Sequence, residues 1–132
     1  MKVKAILRFY FTAERVEAML DRLIYKKALS VSAGRGAYEC AEEVAELVEK
    51  KGELCEFAVF LGRALSKFSA RELEVLKRYA FSPRRSEVEM VREGGDGAAE
   101  AHRLAVAFAR RIRGGAEKYS DGMRVAAEFC FW

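Results

Sequence analysis

The chain has 132 residues, 52% of them hydrophobic and 33% charged, with a single proline and a formal net charge of +4. Such a length buries about two-thirds of its unfolded surface as one compact domain, and this balance of apolar and charged groups excludes an intrinsically disordered chain. No run of about eighteen uncharged apolar residues occurs, which excludes an ordinary transmembrane helix.

The N-terminus carries Lys2 and Lys4, but Arg8 interrupts the apolar run and no small-residue cleavage site follows. The expectation is no signal peptide and a cytoplasmic location. Charge is distributed unevenly. Residues 1–36 carry eight basic groups against three acidic, residues 37–56 two against seven, and residues 57–85 seven against two. The acidic block can neutralise basic neighbours, so net charge alone does not specify nucleic acid.

The first periodic segment runs from Val3 to Leu29. Val3, Ile6, Leu7 and Tyr10 fit a helical stripe that Val16, Met19, Leu20, Leu23 and Ile24 continue. Residues 3–11 also alternate as a strand would, through Val3, Ala5, Leu7, Phe9 and Phe11. Helix is favoured, because no second strand is available to take up the backbone hydrogen bonds. Gly34 and Gly36 mark a break. From Ala37 to Lys67 the residues Val44, Leu47, Leu54, Ala58, Leu61, Leu65 and Phe68 follow a three-four spacing interrupted by Lys51. This is a seam for packing against a second long helix, within one chain or between two copies. Glu42, Glu43, Glu46 and Glu49 fall on the other faces as a solvated surface.

Ser69 and Glu72 have the spacing of a capping box. It starts a helix with Leu73, Leu76 and Ala80 on one stripe, which Pro83 ends by forcing residue 82 out of helical angles. Ser86 and Glu89 repeat the capping spacing and predict a short helix from Glu87 to Glu93. Gly94, Gly95 and Gly97 read as a turn, and Ala98 to Arg113 as a helix with Leu104, Phe108 and Ile112 spaced by four. A last helix from Ser120 leads into the apolar end FCFW, which is expected to dock on the core or on a partner. The fold class is thus all-α. A long antiparallel helix hairpin in residues 1–67 precedes a cluster of shorter helices in residues 68–132, together one helical domain across residues 1–132.

Chemistry finds few anchors in this chain. His102 is the only histidine, so a histidine-rich metal site within one chain is excluded and a nucleophile–histidine pair would need a cysteine or serine beside it. Cys40, Cys55 and Cys130 form no paired metal knuckle or disulfide framework and read as small apolar residues. Phosphate-loop and dinucleotide fingerprints are absent, and the glutamates lack the Glu-x-x-His pattern of a di-iron bundle. The expectation is a non-enzymatic protein with no cofactor and no metal.

Residues 68–113 resemble the helix-turn-helix unit of sigma-factor region 4, of LuxR-type regulators and of ArpU-like phage regulators. Ser69, Arg71, Glu72, Leu73, Glu74, Val75 and Leu76 carry the resemblance of the first helix, Ser86, Glu87 and Val88 match the second in part, and Ala101, His102 and Arg103 are similar to the "THR" of a LuxR-type recognition helix. The resemblance implies a small regulatory protein whose partners are nucleic acid or the transcription machinery. The second half departs from the pattern: Glu89 stands where a small residue is usual, and Ala98, Ala99 and Glu100 open the recognition helix. Alanines cannot read base edges, so the expected contact is with phosphates. Its residues would be Lys77, Arg78, Arg84, Arg85, Arg103, Arg110 and Arg113. The alternative is a helical interaction or structural module without nucleic-acid binding. There the seam Val44, Leu47, Leu54, Ala58, Leu61, Leu65 and Phe68, or the FCFW end, would build a homo-oligomer, with no membrane involved in either case.

Overall fold

The computed structural model describes residues 3–30, 36–82, 96–115 and 117–130. Six helices follow one another: α1 (Val3–Phe11), α2 (Ala13–Leu29), α3 (Ala37–Leu65), α4 (Ala70–Phe81), α5 (Asp96–Arg113) and α6 (Ser120–Cys130). Among the described residues every regular element is helical, and no helix is long and apolar enough to cross a membrane.

Residues 3–11 are helical, which settles the choice between helix and strand. Ala5, Ile6, Leu7 and Phe9 are all buried, so α1 is apolar on most of its circumference. A helix buried on several sides satisfies a two-residue alternation as readily as a helical one. The single helix expected over residues 3–29 is divided at Thr12. Its hydroxyl donates to the Arg8 carbonyl at 2.7 Å, and its own carbonyl accepts from the backbone N–H groups of Arg15 and Val16. A short side chain that takes up the preceding turn's carbonyl competes with the helical ladder. The break lets α1 leave the hairpin and pack chiefly against α4, while α2 packs along α3.

The hairpin is antiparallel, as the seam implied. Ser30 Oγ lies 3.2 Å from Cys40 Sγ, Lys27 pairs with Glu43 at 3.1 Å, and Lys51 with Asp21 at 2.6 Å. The Cys55 thiol donates to Glu17 at 3.3 Å. Helix α3 runs unbroken through Gly52 and Gly62 for 29 residues, roughly 43 Å at 1.5 Å per residue. Its seam closes inside this chain. Leu54, Leu61, Leu65 and Phe68 are buried in the core, with Leu47 and Ala58 partly buried against it and Val44 half-buried. Lys51, the interruption, keeps its ammonium at the helix–helix border on Asp21. The Asp21 carboxylate raises the Lys51 pKa above its usual value.

The C-terminal helices cover the other half of α3. Phe57 stacks on Phe9 of α1 with ring centroids 5.5 Å apart. Gly122 of α6 comes so close that a Cβ there would lie 2.7 Å from Phe57 Cβ and 2.9 Å from the Glu53 carbonyl. Phe60 stacks on Tyr119 at 4.4 Å. The capping box of α4 is fully formed: Ser69 Oγ accepts from the Glu72 N–H at 3.1 Å, and Glu72 accepts from the Ser69 N–H at 2.9 Å. Helix α4 ends at Phe81, with Ser82 extended ahead of Pro83.

Helix α5 starts at Asp96, two residues before the expected Ala98. The expected helix from Glu87 to Glu93, its Ser86–Glu89 cap and the turn residues Gly94 and Gly95 lie outside the described residues. So do Phe131, Trp132 and the side chains of residues 129 and 130.

Candidate nucleic-acid interface

Helix α5 owes its position to a continuous apolar stripe. Ala101, Leu104, Ala105, Phe108 and Ile112 are buried, a three-four spacing that seats one face on α3 and α4. With 3.6 residues per turn, positions 103 and 110 fall on the opposite face, two turns apart. Arg103, Arg110 and Arg113 are accordingly exposed. None of the three makes an ion pair among the described residues. His102 and the half-exposed Val106 share this outer side.

Other arginines nearby are engaged. Arg111 lies over the Phe68 ring at 4.4 Å and donates to the Ala64 carbonyl at 3.3 Å, which ties α5 to the end of α3. Arg71 pairs with Glu100 at 3.4 Å. That contact offsets the Glu100 carboxylate, which would repel a phosphate, an arrangement invisible in the sequence because 29 residues separate the pair. Arg103 and Arg111 also act on Glu72. Its carboxyl is held below the usual carboxylate range first by the bond from the Ser69 backbone N–H, with the two guanidinium charges adding to the effect.

On α4, Lys77 and Arg78 are exposed. They sit on a helix that packs directly against α5. The expected contact residues Lys77, Arg78, Arg103, Arg110 and Arg113 thus lie on two adjoining helices with their charges in solvent. Arg84 and Arg85 lie outside the described residues.

The remaining chemistry-bearing groups have structural partners. Cys40 is buried beside Ser30. Burial, together with the bond to Glu17, pushes the Cys55 thiol up, which keeps it protonated and a poor nucleophile. A cleft of about 430 Å³ between α3 and α6 is lined by Glu46, Glu49, Lys50, Glu53, Arg124 and Glu128. Lys50 bridges it to Glu128 at 3.0 Å and to Glu46 at 3.6 Å. The Glu128 contact raises the Lys50 pKa, so the ammonium stays charged and occupies the cleft. Among the described residues no three His, Cys, Asp or Glu side chains converge as a metal site. Comparison with known protein families, with curated proteins and with solved structures finds no match.

Proposed function

We propose that this protein is a small non-enzymatic regulatory protein that contacts nucleic acid through the outer face of α5, with α4 alongside. The observation that supports this reading is the pair Arg103 and Arg110. They are exposed, two turns apart on one helix face and free of ion pairs among the described residues, whereas Arg71 and Arg111, also exposed, are engaged by Glu100 and by the Ala64 carbonyl and Phe68 ring. Long side chains at that spacing suit phosphates along a backbone, and such contacts need placed positive charge with no base reading. With the Ala-rich start of α5, the contact is sequence-tolerant.

The test is binding to random duplex DNA across a salt series. Log affinity should fall by about 0.9 per phosphate contact per decade of salt. Affinity at low salt should fall when Arg103 and Arg110 become alanine, both positions being exposed and tolerant of truncation. No binding at low salt, or unchanged binding by that double variant, overturns the proposal.

A further inference from the structure

Helix α3 carries a second apolar stripe besides its core seam. Ala41, Ala45, Val48, Gly52 and Val59 repeat at three-four spacing on the side of α3 away from α6, and all are exposed. Val48 is 52% and Val59 55% exposed, and a Cβ at Gly52 would meet nothing within 4 Å. On α2 the exposed Ala18, Tyr25 and Ala28 continue this face. Small residues at such spacing let a further helix approach closely.

Charge indicates what covers the face. Its α2 edge carries exposed Arg15 and Arg22, and its α3 edge, where the face borders the α3–α6 cleft that Glu49 also lines, carries exposed Glu42, Glu49 and Glu56 at seven-residue spacing. None of these five makes an ion pair among the described residues. The contacts between the two helices fix their relative height. Arg22 lies one residue beyond Asp21, and Glu49 two residues before its partner Lys51, so Arg22 and Glu49 are level. Arg15 lies two residues before Glu17, and Glu56 one residue after its partner Cys55, so this pair is level too.

We infer that this face of the hairpin binds a second copy of the chain, with the two-fold axis parallel to the helices. That axis lays α2 of one copy over α3 of the other without a shift in height. Arg22 then meets the second copy's Glu49, and Arg15 the second copy's Glu56, each contact occurring twice as an isologous interface requires. A two-fold axis across the helices would instead set α3 on α3, acid against acid. The assembly is a four-helix packing around Ala41, Ala45, Val48 and Gly52. It uses none of the α5 arginines, so it stands or falls independently of nucleic-acid binding.

Sedimentation equilibrium over a concentration series, with helicity followed by circular dichroism, tests this directly. The wild-type chain should dimerise. Arg22→Glu and Glu49→Lys should each raise the dimer dissociation constant roughly ten-fold, because the symmetry applies each charge reversal twice. The combined Arg22→Glu/Glu49→Lys variant should recover the wild-type constant, since the same two contacts reform with signs exchanged. A helical monomer at every concentration overturns the inference. So does tighter association of Glu49→Lys alone, which would mark acid-on-acid pairing, or a double variant as weak as the singles.

Discussion

The two ends of the hairpin differ in what holds them. At the end away from the turn, α3 from Leu54 onward packs against α1, α5 and α6, and Phe9, Phe57, Phe108, Leu61, Leu65 and Ile112 are fully buried there. Towards the turn, no residue of α2 beyond Leu20 is fully buried, and Cys40 alone is between Gly36 and Glu53. That arm is held by the Ser30–Cys40 contact and by the exposed or half-exposed pairs Lys27–Glu43 and Lys51–Asp21. Its apolar Tyr25, Leu29, Tyr38 and Val48 face solvent. Stability therefore resides in the enclosed end, and the arm is free to vary or to be covered.

Truncation should expose this contrast most strongly. Phe57→Ala or Phe108→Ala should destabilise the chain by about 3–5 kcal/mol in denaturant unfolding. Val48→Ala in the arm should change the stability of the monomer, at concentrations too low for self-association, by less than about 0.5 kcal/mol. Equal costs would show that the arm carries core that its exposure conceals. The tight approach of α6 comes next. Gly122→Ala drives a methyl against Phe57 Cβ and the Glu53 carbonyl and should cost about 1–3 kcal/mol through overpacking. Gly52→Ala in the arm meets open space within one chain and should stabilise the monomer, at concentrations too low for self-association, by about 0.5–1 kcal/mol through helix propensity.

Smaller again is the cap of α4. Ser69→Ala removes one of two reciprocal bonds and should lower stability by about 1 kcal/mol. Glu72 adds a pH dependence to the same site. Its folded pKa is lowered, so its contribution is fully present above the ordinary glutamate value of about 4.3 and fades as pH falls through the lowered one. Stability of Glu72→Gln should accordingly decline less than wild type as pH falls below about 4.3, in thermal melts across that range.

Local signals were the legible ones. The capping box, the end of α4 ahead of Pro83 and the α3 seam are written in residues a few positions apart, and they correspond to a pair of reciprocal bonds, an extended Ser82 and a largely buried face. The break at Thr12 was hidden because threonine is no helix breaker; its effect depends on a hydroxyl reaching Arg8 and on α1 having α4 to pack against. Pairings across long separations, such as Arg71–Glu100 and Gly122 on Phe57, depend on the tertiary arrangement and leave no periodic trace. The seam itself reads from Val44 to Phe68 with Lys51 its one break, yet its first two residues are only partly buried, a difference that the spacing alone does not show. Of the basic residues expected to act together, periodicity placed Arg103 and Arg110 on one face but could not show that the neighbouring Arg111 lies over the Phe68 ring.

The most direct measurement is the salt slope of random-duplex binding for two charge-matched double variants. Arg103→Ala/Arg110→Ala removes two charges from the α5 face, and Lys26→Ala/Arg124→Ala removes two exposed charges from α2 and α6. The account predicts a slope reduced by about 1.8 for the first pair and unchanged for the second. Equal reductions would mean that general positive charge, and not the face of α5, meets the nucleic acid, and would contradict it.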